Sequence, residues 1–128
     1  MMELLSPAGG FDSLIAAVQT GADAVYMGFG AFNARRSAKN FTDEEFASAV
    51  SYCHLRGVRV FLTLNTLLTD RELVQAEDAL KKACAMGVDA ILVQDWGLLT
   101  LARELVPDVP LHASTQMSLF TLGGAREA

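Results

Sequence analysis

Apolar positions along the chain follow two patterns, short continuous runs and stripes spaced by three or four residues. The stripes are typical of helices packed on a sheet, whereas the runs are too short for helices and rich in strand-forming residues. Such alternation of strand and helix indicates a parallel sheet. The stripes predict four complete helices and the beginning of a fifth after Gly123. The runs predict five strands, at about Glu3–Leu5, Ala24–Met27, Val58–Leu64, Ala90–Val93 and Leu111–Ala113.

The joint between helix and strand is repeated within the chain. The sequence GADAVYMG at Gly21–Gly28 returns in modified form as GVDAILVQ at Gly87–Gln94, 66 residues later. Each copy has a glycine suited to end a helix, an aspartate in the connection, and an apolar run. A third joint, at Gly57, lies between the two copies. The period therefore covers two strand–helix units.

Local signals set the expected boundaries of several elements. Thr42 with Glu45, and Thr69 with Glu72, have the spacing of capping boxes at helix starts. Pro7 is expected to lie beyond the first strand, because proline cannot donate to a buried ladder.

Five strands with four to five helices amount to a little over half of a (β/α)8 barrel. We therefore predict an α/β fold in which residues 1–128 form a single partial domain, the first five parallel strands of a TIM-type barrel. The alternative is a small open doubly wound sheet, which five strands also permit. Strand order distinguishes them, since a barrel requires the sequential order. An incomplete barrel would leave two strand edges and an apolar inner face open, so we also expect this chain to form a homo-oligomer.

Composition narrows the classes of function. The chain is 52% hydrophobic. Its formal net charge of −5 argues against a broad nucleic-acid-binding surface on this segment. No apolar run is long enough to span a bilayer and the start lacks a secretory-signal layout, so we expect a cytoplasmic protein without a membrane partner. Cys53 and Cys84 lie in helical stripes, which favours buried thiols over a disulfide or zinc site.

Polar residues directly after the strands are the candidates for a site, because the carboxyl ends of barrel strands carry the chemistry. We predict that Asn65, Gln94, Asp95 and Gln116 point inward as substrate ligands. Polar groups at successive strand exits are costly unless they meet water or a ligand. The alternative, left open here, is that polar residues such as Thr63, Asn65 and His112 only fill inner layers or cap helices.

The connection after the second strand, GFGAFNARRSAKNF, is long for an α/β unit and indicates function. Arg35 and Arg36 are predicted to bind a carboxylate or phosphate through their guanidinium groups, with Lys39 nearby. The alternative is a solvated basic loop. Phe29, Phe32 and Phe41 favour a lid or a stacking surface, and the alternative is that they anchor the loop to the barrel rim.

Three familiar motifs are not supported. Gly28-x-Gly30 lacks the third glycine and the helix start of a dinucleotide site. His112 and Ser114 lie on one side of a strand without a GxSxG elbow, and HExxH is absent. The sequence therefore predicts no serine- or zinc-protease machinery.

Seven segments along the chain carry a family resemblance: ELLSPAGG (3–10), GADAVYMG (21–28), NFT (40–42), RGV (56–58), TLNT (63–66), GVDAILVQD (87–95) and LHASTQ (111–116). Taken together, they resemble the N-terminal part of the peptidase U32 family, the collagenase-like proteases. The resemblance implies a TIM-type barrel in proteins whose older label is protease. It also implies relatives that hydroxylate RNA bases without oxygen, among them proteins that use prephenate as the oxygen donor for uridines in transfer RNA.

The family's cysteine signature, whose thiolates hold an iron–sulfur cluster, lies further along the chain than residue 128. The cluster is therefore expected in full-length relatives and not at Cys53 or Cys84. The resemblance implies the first barrel segment of a protein related to RNA base hydroxylation, whose partners would be an anionic small molecule or RNA. The contrasting expectation is a non-catalytic binding or structural fragment, inactive without the rest of the barrel.

Overall fold

The computed structural model describes residues 2–28, 30 and 41–128. Strands and helices alternate along these residues, as the apolar pattern predicts. None of the helices described is long and apolar enough to cross a bilayer. The elements are β1 (Leu5–Pro7), α1 (Phe11–Gln19), β2 (Ala24–Met27), α2 (Asp43–His54), β3 (Arg59–Leu64), α3 (Asp70–Met86), β4 (Ala90–Val93), α4 (Trp96–Leu105), β5 (Leu111–Ala113), a 3-10 turn (Thr115–Met117) and α5 (Leu122–Glu127).

The five strands form one parallel sheet in the order β1-β2-β3-β4-β5. This sequential order is the one expected for successive strands of a barrel. Within the described part of the chain it lacks the reversal that defines a doubly wound sheet. The predicted α/β fold class, with five parallel strands in a partial barrel arrangement, is therefore confirmed.

The first strand departs most from its predicted bounds, whereas β3 begins at Arg59, one residue after the predicted Val58. The expectation was Glu3–Leu5, but β1 extends through Pro7, which lies opposite Tyr26 in the ladder. Ala8 donates its backbone N–H to the Tyr26 carbonyl at 3.0 Å, and successive residues of a strand alternate in direction. The proline nitrogen therefore faces the outer edge of β1, where no ladder bond is lost.

Helix boundaries follow the predicted signals. Both capping boxes are formed, with Thr42 and Thr69 each accepting from the backbone N–H of the glutamate three residues later. Gly87 ends α3 in the left-handed conformation at φ 85°, and Gly21, its counterpart in the repeat, has φ 94°. Residues with a Cβ rarely adopt this conformation, so glycine suits both joints.

The repeated aspartate joins neighbouring strands. Asp23 Oδ2 accepts from the Leu4 backbone N–H at 2.7 Å, and Asp89 Oδ2 accepts from the Val60 backbone N–H, also at 2.7 Å. In both copies the aspartate's own N–H donates back to the carbonyl of the same partner, Leu4 or Val60. Each aspartate thus aligns the start of its strand with the preceding strand.

The two faces of the sheet are packed differently. The outer face and the helices enclose the main core, and its largest fully buried side chains include Leu14, Phe46, Leu62, Leu80, Ile91 and Leu98. The opposite, inner face holds a small cluster of Ala24, Phe61 and Ala90, with Tyr26 and Leu92 only partly buried.

The expectation of an open inner face with exposed apolar side chains holds only in part. Leu5 is 41% exposed, but Phe61 is only 4% exposed. The ring of His112 packs edge-on against Phe61 at 5.1 Å between centroids, and the Arg59 guanidinium lies 5.6 Å from the Phe61 ring. The chain therefore covers the middle of its own inner face.

Candidate functional site

Polar side chains meet where β3, β4 and β5 end. Asn65 follows β3 and Ser114 follows β5, and the Asn65 Nδ2 atom lies 3.4 Å from Ser114 Oγ, to which it donates. Since β4 lies between these two strands, this contact crosses the end of β4 on the inner side. Gln94 directly follows β4, at the same edge of the sheet. We call Asn65, Gln94, Ser114 and Gln116 the exit cluster.

The 3-10 turn after β5 completes the exit cluster. Ser114 is 7% exposed and caps this turn, accepting from the Gln116 backbone N–H at 3.4 Å. Gln94 Nε2 donates to the Gln116 backbone carbonyl at 3.3 Å. Gln116 thus joins the cluster through its backbone, and its side chain is left exposed. The structure therefore brings Asn65, Gln94 and Gln116 together through Ser114.

Asp95 lies beside the cluster but has a different role in the fold. Its Oδ1 accepts from the Leu98 backbone N–H at 3.0 Å and caps α4, while its Oδ2 accepts from the Leu68 backbone N–H at 3.3 Å. A Cβ at Gly97 would lie 3.1 Å from Asp95 Oδ1, so glycine leaves room for this cap. Both carboxylate oxygens are thus used to hold the β3–α3 connection against α4. A ligand role for Asp95 stays a prediction.

Ser114 is the member of the cluster that sequence reasoning passed over. A serine directly before a polar turn is a common cap, and this local signal indicates the position of Ser114 at the end of β5. Thr66, at the β3 exit, has a buried hydroxyl without a hydrogen-bond partner among the residues described. For His112, which packs on Phe61, the structure favours the inner-layer alternative.

The predicted anion-binding residues Arg35 and Arg36 lie outside the described residues, as do Lys39, Phe29 and Phe32. Their roles stay predictions. Phe41, the last aromatic of this connection, is 3% exposed. It packs edge-on against Phe11 at 5.6 Å and against Phe46 at 6.4 Å between centroids. Phe41 is therefore an anchor in the core and not part of a lid.

Ser114 and His112 do not contact each other as a nucleophile and its base would. The Ser114 hydroxyl contacts Asn65 and the Gln116 amide, whereas the His112 ring contacts Phe61.

The two thiols do not fit an iron–sulfur cluster. Burial raises the pKa of the Cys53 thiol to about 11 and also raises the pKa of the Cys84 thiol, which disfavours the thiolate that a cluster needs. Both cysteines lie on helices, away from the strand exits. Within the described residues no group of three or more His, Cys, Asp or Glu side chains is placed to hold a metal ion.

Comparison with known proteins identifies the family. The model of peptidase family U32 matches residues 9–127. The chain therefore belongs to peptidase family U32. This confirms the resemblance carried by its strand-end motifs.

Curated relatives of this U32 chain carry several names. It is 43% identical to the 23S rRNA 5-hydroxycytidine C2501 synthase of Escherichia coli K12, over 98% of this chain and 18% of that protein. It is 41% identical to an uncharacterized protease of Methanocaldococcus jannaschii, over 93% of this chain and 29% of that protein. It is 36% identical to tRNA hydroxylation protein P of Helicobacter pylori, over 94% of this chain and 29% of that protein. The U32 chain thus spans less than a third of each of these relatives.

A solved structure supports the fold. The U32 peptidase Mk0906 superposes with a TM-score of 0.75 at 15% sequence identity, over 98% of this chain and 53% of that chain. At this identity the likeness concerns the fold alone. It agrees with the α/β arrangement of five parallel strands.

Proposed function

We propose that this U32 chain supplies the first strands of the barrel of an enzyme that hydroxylates a pyrimidine base in RNA. The observation that carries the proposal is the 43% identity, over 98% of the chain, to a protein named as an rRNA 5-hydroxycytidine synthase. Two relatives named as tRNA hydroxylation proteins are 36% and 38% identical to this chain. Because the chain covers 18% of the rRNA enzyme, the activity is assigned to the whole protein and not to this segment.

The position of the exit cluster supports a site in this segment. In (β/α)8 enzymes the reaction takes place at the carboxyl ends of the strands, which is where Asn65, Gln94, Ser114 and Gln116 meet. The net charge of −5 argues against a broad RNA footprint here. Contact with the RNA backbone would therefore fall to a local basic patch, for which Arg35 and Arg36 are the predicted residues.

Hydroxylation of the base also requires a molecule that donates the oxygen atom. As the family resemblance implies, we take the donor to be prephenate, an anionic small molecule whose carboxylates suit the Arg35 and Arg36 guanidinium groups. The iron–sulfur cluster expected in full-length relatives is not assigned to Cys53 or Cys84, whose buried thiols do not fit it.

Peptide hydrolysis is the competing function, since relatives are named collagenase and protease. The contacts of Ser114 and His112 described above do not favour it. The test uses the protein expressed from its complete gene, incubated with prephenate and RNA from a strain lacking that gene and, separately, with a collagen peptide. We expect hydroxylated pyrimidine nucleosides by mass spectrometry and an intact peptide.

The 128-residue chain alone serves as the control for the fragment alternative, and we expect it to be inactive in both assays. Robust, metal-independent peptide cleavage by the complete protein, with no hydroxylated nucleoside, would overturn the proposal.

A further inference from the structure

The exit cluster and the layer beneath it have different chemistry. Alternation along the strands places Thr63, Leu92 and His112 on the same face as Asn65, Gln94 and Ser114, one layer deeper. Thr63 pairs with Leu92, and Leu92 pairs with His112, so the deeper three form a row across the sheet. Leu92 is half-buried and His112 is exposed. A ligand on this face would therefore meet hydrogen-bonding groups at the rim and, one layer below, the apolar Leu92 side chain between the polar side chains of Thr63 and His112.

The four members of the exit cluster carry no charged side chain. Carboxamides and hydroxyls make up the exit cluster, and the neighbouring carboxylate, Asp95, already accepts from two backbone N–H groups. The cation on the inner face of β3, Arg59, is paired with Glu3 and lies at the opposite end of the strand. An anion placed in the exit cluster would therefore find no positive side chain among these residues.

Hydrogen bonds within the cluster fix which groups face a ligand. The Gln94 Nε2 atom donates to the Gln116 carbonyl, so the amide is oriented and its Oε1 is left as an acceptor. Ser114 Oγ accepts two hydrogen bonds, which leaves its proton as a donor. The exposed Gln116 carboxamide offers one further donor and acceptor. The exit cluster thus presents hydrogen-bond donors and acceptors side by side.

We propose that the exit cluster binds the target pyrimidine base itself, through the base's hydrogen-bonding edge, and that the anionic co-substrate binds elsewhere. The inference rests on the proposed function, to which it adds the residues that select the substrate. A pyrimidine has an edge on which donors and acceptors lie side by side, which matches the groups that the exit cluster presents. Gln94 is the specificity-determining residue, because its acceptor is held in one orientation.

The test measures binding of cytidine and uridine, by titration followed by NMR, to the protein expressed from its complete gene. Gln94→Leu should weaken binding of the preferred nucleoside about tenfold, because the base's donor is left unpaired, and Gln116→Ala should weaken it about threefold. Gln75→Ala, which removes an exposed carboxamide on α3, is the matched control and should leave binding unchanged. Thermal unfolding of each variant checks that its fold is retained.

Salt provides a second readout, because binding of a neutral ligand is insensitive to ionic strength and binding of an anion is not. We expect nucleoside affinity to be the same at low and high salt, and a simple dicarboxylate, malonate, not to compete. Nucleoside binding that is equal in wild type and Gln94→Leu overturns the inference even if the protein hydroxylates RNA. Binding that depends on Gln94 in a protein that leaves RNA unmodified supports this inference and refutes the proposed function.

Discussion

Replacing Asp89 by alanine tests how the repeated aspartate stabilises the sheet. The substitution removes the acceptor of the Val60 backbone N–H, a partly buried hydrogen bond of 2.7 Å. An amide left unpaired at such a site costs about 1–3 kcal/mol. The Asp89 carboxylate also contacts His54 Nε2 at 2.9 Å. Because the His54 side chain is 41% exposed, this contact adds at most about 1 kcal/mol to the free energy of unfolding.

We therefore expect Asp89→Ala to lower the free energy of unfolding by about 2–3 kcal/mol. For a domain of this size the unfolding midpoint falls by about 10 °C. The measurement is thermal unfolding of the 128-residue chain followed by circular dichroism, at one fixed protein concentration because association would shift the midpoint.

Two further variants separate the contributions. His54→Ala removes the exposed pair but keeps the backbone contact, so it should cost at most about 1 kcal/mol. Asp23→Ala removes the equivalent bond to the Leu4 N–H, which lies in an exposed position where water can replace it, so a cost of about 1 kcal/mol is expected. If Asp89→Ala is no more destabilising than His54→Ala, the backbone contact contributes nothing and the reasoning is wrong.

Two other predictions concern the cysteines and the sheet edges. Because burial raises the pKa of the Cys53 thiol from 9.0 to about 11, the stability that this thiol contributes should be complete below pH 9 and lost as the pH rises through about 11. In the folded protein at neutral pH, a thiol reagent should label Cys84 slowly and Cys53 only after unfolding. Rapid labelling of Cys53 would contradict its burial. Since β1 pairs only with β2 and β5 only with β4 in the described residues, sedimentation of the 128-residue chain at micromolar concentration should show an oligomer. A folded monomer with a cooperative melt would refute this.

Much of the fold was predictable because its signals are local. The stripes, the capping boxes at Thr42 and Thr69, and the glycines at the joints each act within a few residues, and the bounds of β2, β4 and β5 follow from them. The bounds of β1 did not follow, because Pro7 is compatible with a strand only at a sheet edge, and strand order is not a local property.

The candidate site was predictable in outline but not in detail. Parallel strands bring their carboxyl ends to one edge, so the proximity of Asn65, Gln94 and the β5 exit was expected although 49 residues separate Asn65 from Ser114. That Gln116 would join through its backbone depends on the 3-10 turn, which the sequence did not predict. The contact between Asp89 and Val60 joins groups 29 residues apart, and no local pattern indicates it.

The most direct test of the proposed function is the nucleoside content of RNA from cells that lack the gene for this protein. Ribosomal and transfer RNA are digested separately and their nucleosides are compared, by mass spectrometry, with those of the parent strain and of the deletion strain carrying the restored gene. The account predicts that one hydroxylated pyrimidine is lost from one of these RNA classes and returns with the restored gene. Identical nucleosides in all three strains would contradict it.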